Sequence, residues 1–248
     1  MSPDSEFESK RVLITGGTAG IGRAAAAAFA ADGAQVIIVG RNADHGAAVV
    51  HDIERHGGRA EFLAFDVSAS HVVGELLTAT GPVDVLVTSA GYRPAPGPAV
   101  STSAADLSLT LATNVAVPYL LSAAYGALMA DHGGGAMVHV SSGNGTLDQE
   151  GFAAYNVSKA AVNAVVRAFA HELGRHGVRV NAVAPGPTYT PYTEQFGAAL
   201  DQLMAPYPLA VPGTAGQVAA AILFLASQRA SHITGAVLPV DGGQTIVI

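Results

Sequence analysis

Short, mostly apolar runs rich in β-branched residues alternate along this chain with longer alanine-rich stretches of helical period. Successive strand side chains point to opposite faces, so a run that is apolar at nearly every position is buried on both, as in a parallel sheet covered by helices. Strands are predicted at residues 12–15, 35–39, 60–65, 83–89, 136–141, 179–184 and 236–240. Helices are predicted at 22–31, 44–57, 104–130, 154–174 and 216–226, with a shorter one at 70–80. The alternation reads as βαβ units and therefore as a single α/β domain over residues 11–248: a doubly wound, seven-stranded parallel sheet with helices on both faces. No linker or internal repeat divides it. The Pro-, Gly- and Ser-rich segments 93–103 and 185–191 follow strand ends, the edge at which such sheets bind ligands.

Composition narrows the class. The chain has 248 residues, half of them hydrophobic and only 12% charged, enough apolar material for one deep core. It has no cysteine, hence no disulfide, thiolate nucleophile or Cys-based zinc site, which fits a reducing, cytoplasmic setting. Residues 1–10 carry three acidic side chains and no apolar run, and are expected as a disordered lead-in rather than a targeting peptide. No apolar run is read as approaching the ~18 residues of a membrane span; the alanine-rich stretch after Arg23 is cut at Asp32. A net charge of -7 with dispersed arginines argues against a nucleic-acid surface. The nine histidines lack the spacing of metal ligands and are expected on the solvated surface, so no metal is expected.

Two local patterns carry chemistry. Between the first predicted strand and its helix lies TGGTAGIG, Thr15 to Gly22. There Gly16, Gly20 and Gly22 permit a tight turn, close backbone approach to a pyrophosphate and helix-on-strand contact, while the helix N-terminus favours negative charge. The turn reads as a Rossmann-type dinucleotide cradle. The second predicted strand is followed by Gly40 and Arg41, without the acid that would hold an adenosine ribose 2′-hydroxyl. A guanidinium there suits the 2′-phosphate, so NADP(H) is expected over NAD(H), although Arg41 is also what an ordinary polar loop would start with. The second pattern is Tyr155 with Lys159 in YNVSK, one helical turn apart, in a chain whose other lysine is Lys10. An ammonium beside a phenol favours the phenolate and fits the pair for general acid/base chemistry.

Together these residues resemble the short-chain dehydrogenase/reductase family, its compact single-domain branch, over residues 11–243. Further segments in family order are Asn114 in TNVAVPY, Ser142 closing VHVSS, Pro185 and Gly186 in NAVAPG, and ITGAVLPVDGG ending at Gly243. The resemblance implies that Tyr155 gives the proton to a carbonyl oxygen and that Ser142 hydrogen-bonds that oxygen. Lys159 would tune Tyr155 and hold the nicotinamide ribose, and Asn114 would position a proton-relay water. Thr18, Ile21, Ala90, Gly91, Pro185 and Gly186 would join the cofactor wall. Asp66 and Val67 would flank the adenine, and Thr188 and Thr190 would face the nicotinamide amide and pyrophosphate. It also implies a homotetramer and hydride transfer between NADP(H) and a carbonyl/alcohol pair.

The chain departs from the family pattern in two places. Ser89 stands before Ala90-Gly91 where the family has asparagine, and the crossover from Asp66 to Gly81 is short, which predicts a trimmed helix. The stretch Ala130 to Gly135 lacks the basic residues that would dock an acidic carrier protein, so a free small molecule is expected, a fairly apolar ketone, aldehyde or secondary alcohol. Residues 189–212 offer Tyr189, Tyr192, Phe196, Leu200, Leu203, Met204 and Tyr207, which read equally as a substrate lid or as helix packing. Asp148, Gln149 and Glu150, just before the helix of Tyr155, could add a polar contact but are expected as a solvated loop. A cofactor-binding sensor or scaffold without turnover shares the fold, but needs only the cradle and not the Asn114, Ser142, Tyr155, Lys159 set. A lyase or dehalogenase on the same fold would not need an intact glycine turn.

Overall fold

The computed structural model describes residues 5–69 and 71–247. The chain runs β1 (Arg11–Thr15), α1 (Gly20–Ala31), β2 (Gln35–Gly40), α2 (Ala43–Arg55), β3 (Arg59–Ala64), α3 (Val72–Thr80), β4 (Val85–Thr88), α4 (Ala104–Leu111), α5 (Val117–Asp131), β5 (Gly135–Val140), α6 (Ala153–Leu173), β6 (Val178–Pro185), β7 (Thr188–Tyr189), α7 (Ala198–Met204), β8 (Gly213–Thr214), α8 (Ala215–Ala226) and β9 (Val237–Val240). Seven strands make one parallel sheet in the order β3-β2-β1-β4-β5-β6-β9, and the short β7 and β8 pair separately.

Strand pleating divides the core. In β1, Val12 and Ile14 join Phe29 of α1 and Val218 and Ile222 of α8 on one face, while Leu13 joins Leu121, Tyr125 and Met129 of α5 on the other. Burying a side chain the size of Phe29 or Ile222 contributes about 1.5–3 kcal/mol, and this two-sided burial is why the strands lack polar alternation. The chain leaves β1 toward β2 and β3, then returns to place β4 on β1's other side. The crevice lies at the ends of these two strands, where the winding reverses.

Four local readings are corrected. Residues 104–130, expected as one helix, widen between α4 and α5 into a π turn, Ala112–Ala116, in which the Val117 N–H reaches back to Ala112 O. Pro118 has no N–H to offer the carbonyl four residues earlier, that of Asn114, so regular helix is locally unfavourable. Taken whole, the stretch Ala104–Asp131 is long and apolar enough to cross a membrane, contrary to the reading from apolar runs, but Leu121, Tyr125 and Met129 face the sheet. Residues 5–10, expected as part of a disordered lead-in, lie on the body: Phe7 is 4% exposed and stacks edge-on against Phe29 at 4.8 Å, and Glu6 accepts from the Gln228 N–H. Residues 1–4, and Ser70 of the expected short helix, lie outside the described residues.

The histidines provide the fourth correction. Eight are exposed, but His139 in β5 is fully buried, bonded at Nδ1 to Thr88 Oγ1 (2.7 Å) and at Nε2 to Ser122 Oγ (3.2 Å). Burial, with a lesser repulsion from Lys159, lowers its pKa to about 4. The folded chain therefore keeps the ring neutral where the unfolded chain protonates it, so unfolding takes up a proton between about pH 6.5 and 4 and acid favours the unfolded state. Over that window His139 is expected to remove on the order of 3 kcal/mol of stability, with no contribution above it. Urea titrations across this pH range check it: His139→Gln should show a shallower loss than the parent, and an identical slope would refute the assignment.

Candidate active site

Helix α6 presents Tyr155 and Lys159 one turn apart at the cleft. Lys159 is 5% exposed; its Nζ lies 5.5 Å from the Tyr155 ring centroid and donates to Val140 O at 2.8 Å. That bond anchors the ammonium to the end of β5, two residues before Ser142.

Ser142 continues from β5 in extended backbone, and a polar network beyond it fixes its loop to α6. Asn144 N donates to Ser142 Oγ (3.2 Å), and Asn144 Nδ2 donates to Asn156 Oδ1 (2.8 Å) and Gln149 Oε1 (3.1 Å). Asn156 Nδ2 in turn donates to Gln149 O (2.9 Å), and Ser141 Oγ to Asn163 Oδ1 (2.6 Å). The loop sits so close to the helix that a Cβ on Gly145 would lie 2.9 Å from the Lys159 backbone. Hydroxyl, phenol and ammonium thus belong to one rigid unit, which suits preorganised stabilisation of charge on a reacting oxygen.

The side chain of Asn114 is taken up by protein partners. It is 1% exposed in the π turn; its Oδ1 accepts from Tyr92 N (2.7 Å) and its Nδ2 donates to Tyr92 O (2.8 Å) and Ser158 Oγ (3.0 Å). All the side-chain groups are engaged, so Asn114 clamps the loop after β4 to α6 and does not itself line the cleft.

The other end of the same cleft, about 830 Å³ in all, is the glycine turn. Gly16 has φ +71°, and a Cβ there would lie 2.6 Å from Ala90 N. At Gly20, φ +51°, a Cβ would lie 3.3 Å from Thr190 Cγ2, inside the space the turn opens at the start of α1. Gly22 is buried and packs on the turn itself, its added Cβ falling 2.3 Å from Gly16 O, so its part is helix-on-strand contact. Thr18, Ile21, Arg41, Asp66, Val67, Ala90, Gly91, Pro185, Gly186, Thr188 and Thr190 also line the cleft. Hydrogen bonds from Ser68 hold the Asp66 carboxyl below its usual range, and Arg41 adds a lesser pull. A backbone cradle at a helix N-terminus, a cation at the far rim and a buried ammonium beside a phenol fit a dinucleotide. Such a group, when bound, supplies the two-electron exchange with the substrate's carbon.

A family model described as Enoyl-(Acyl carrier protein) reductase matches residues 16–245, and solved structures over nearly the whole chain include one described as a short chain dehydrogenase/reductase family protein, at TM-score 0.91 and 38% identity. The chain belongs to the short-chain dehydrogenase/reductase family. An uncharacterized oxidoreductase of Mycobacterium tuberculosis is 39% identical over 96% of this chain and 93% of its own length. The glucose 1-dehydrogenase of Gluconobacter oxydans is 35% identical over 97% and 93% respectively. A solved levodione reductase superposes at TM-score 0.94 with 30% identity, over 98% of this chain and all of that one. As a short-chain dehydrogenase/reductase the protein is an NAD(P)(H)-dependent oxidoreductase acting on small organic substrates.

Several residues of this site escaped the sequence reading. Gln149, for which the sequence favours a solvated loop over a polar contact, braces Asn144 and lines the cleft, while Asp148 and Glu150 are exposed. Asn144 and Asn156 adjoin the motif residues, but nothing in their spacing shows that they bond each other. Of the 189–212 set, Tyr192, Phe196, Leu200 and Leu203 line the cleft, whereas Met204 is buried and Tyr189 is tied by its hydroxyl to Asp201, so the set divides between cleft wall and packing. Arg93 also lines the cleft, and its position after β4 in the Pro-rich loop was the one available signal.

Proposed function

We propose that the protein is an NADP(H)-dependent carbonyl reductase, running as an alcohol dehydrogenase in reverse, on a free small molecule with a fairly apolar body. The observation that carries the proposal is the unit formed by Ser142, Tyr155 and Lys159, held by Asn144, Asn156 and Gln149 at the mouth of a cleft whose other end is the glycine turn. In reduction, Tyr155 gives its phenolic proton to the substrate oxygen while Ser142 hydrogen-bonds that oxygen; in oxidation, Tyr155 receives the proton. Lys159, anchored at Val140 O, would hold the nicotinamide ribose of the dinucleotide. Tyr192, Phe196, Leu200 and Leu203 form the apolar wall over the substrate.

A free substrate is supported by the turn after α5, where Asp131, His132 and three glycines offer no cation to an acidic carrier protein. A homotetramer is supported by the exposed Leu107, Tyr119, Leu120 and Val157 on α4, α5 and α6, apolar area suited to a second copy.

The cofactor preference rests on Arg41, which lines the cleft just beyond β2 where no acid stands. A charge-assisted hydrogen bond is worth about 1.5–3 kcal/mol, so NADPH is expected to bind roughly tenfold or more tightly than NADH, and Arg41→Ala to erase most of that ratio. Fluorescence titration with both dinucleotides, followed by turnover of a carbonyl panel, tests the reading. NADPH binding without turnover of any carbonyl or alcohol would favour the sensor; equal affinity for both dinucleotides would overturn the preference.

A further inference from the structure

Arg93 is placed as no other arginine of the cleft is. It follows Tyr92, whose backbone is clamped by Asn114, and its guanidinium carbon lies 3.7 Å over the Phe152 ring and 5.4 Å from the Tyr155 ring. Its Nε is shut off from solvent and makes no hydrogen bond. Among the described residues none accepts a hydrogen bond from any of its nitrogens and no carboxylate lies within ion-pair distance. A guanidinium carries five donors in a planar fork; here the Nε donor is desolvated with no acceptor, and stacking on Phe152 does not replace that hydrogen bond.

The surroundings agree in sign. Among the described residues Asp66 is the one acid lining the cleft, and it lies on the side of the glycine turn. Phe152 and Tyr155 meet Arg93, and Ser142, Asn144, Gln149 and Lys159 line the same cleft. Among the described residues the substrate end of the lining holds Arg93 and Lys159 and no carboxylate, while the nearby Asp106 is already taken up by the Tyr92 and Ser103 hydroxyls. Phe152 fixes the plane of the fork, since a guanidinium stacks on an aromatic face and leaves its edge free for an in-plane partner.

From this we infer that the substrate carries a carboxylate, received by Arg93 in a two-point pair, and that the reacting carbonyl stands a short reach away at Tyr155. This inference rests on the oxidoreductase reading and names its substrate class: short oxo acids and the matching hydroxy acids. In reduction the carbonyl π bond breaks, hydrogen and two electrons from the reduced dinucleotide form the new C–H bond, and the proton from Tyr155 forms the O–H bond. The carboxylate is unchanged. The apolar wall then takes the carbon chain, so body and end group are read by opposite sides of the cleft.

The test compares pyruvate and acetoacetate with their methyl esters, in turnover and in calorimetric binding to the full chain saturated with dinucleotide. The parent is expected to favour acid over ester by about 10- to 100-fold in kcat/KM, the range of a charge-assisted pair, with the difference in KM. Arg93→Gln should collapse that ratio and Arg93→Lys restore part of it, and acid binding should follow the same order. Equal use of acid and ester by the parent, or a ratio unchanged in Arg93→Gln, would overturn the inference, as would preference for a phosphorylated carbonyl over both acids. Arg93-dependent binding of acid without any turnover would support the anion site and strike the reductase reading instead.

Discussion

Tyr155→Phe is expected to lower kcat by about 10²- to 10⁴-fold, the usual range for losing a positioned general acid/base, while dinucleotide affinity stays within a few-fold of the parent. The ring survives the substitution and so does its packing beside Lys159 and Arg93; only the hydroxyl is lost. Lys159 keeps its bond to Val140 O, and the loop bearing Ser142 keeps its network, because neither runs through the phenol. Single-turnover reduction of a ketone, with a parallel fluorescence titration of NADPH, separates the two quantities. Turnover within about tenfold of the parent would mean that another group moves the proton, and Ser142 would be the next to remove. Loss of dinucleotide binding together with turnover would mean that the substitution disturbs the site's structure.

The second large effect is expected at the glycine turn. Gly16→Ala puts a Cβ 2.6 Å from Ala90 N and 2.8 Å from Ala90 Cα, backbone atoms that cannot swing aside, in a residue whose φ is +71°. The left-handed conformation costs about 1–2 kcal/mol for a residue with a Cβ, and overpacking about 1–3 more. A total of roughly 2–5 kcal/mol lowers Tm by roughly 5–15 °C in a chain of this size. Relief of the clash must separate the turn from the end of β4, so dinucleotide affinity is expected to fall more than about tenfold. Gly57→Ala is the matched control: φ is +81°, but nothing lies within 4 Å of the added Cβ. It carries the conformational cost alone, about 1–2 kcal/mol, and leaves the dinucleotide untouched. Calorimetry and NADPH titration of the two variants decide the matter, and equal losses would show that backbone conformation, not the contact with β4, makes Gly16 necessary.

Much of this was legible before any coordinates because it is local. Seven strands came from seven apolar runs, the cradle from glycines between a strand and a helix, and the pair Tyr155 and Lys159 from a four-residue spacing that helical geometry turns into one face. The short β7 and β8, two residues each, and α7, seven, carry too little pattern to be read. The break in the 104–130 helix was signalled by Pro118 yet outweighed by a continuous helical period.

The chain by itself determined the layered fold, the tight glycine turn at the start of α1 and the placing of Tyr155 and Lys159 on one helix face, since each depends on residues within a turn or two of one another. Only tertiary structure decided that His139 is buried and neutral, that Asn114 is a clamp, that Asn144 and Gln149 brace Ser142 against α6, and that Arg93 meets Phe152 and Tyr155. Most of those contacts join segments distant in sequence, and even the close ones depend on how a loop folds back on its helix. Whether a polar side chain is solvated, paired or left waiting for a ligand depends on what the fold brings against it, and local periodicity carries no record of that.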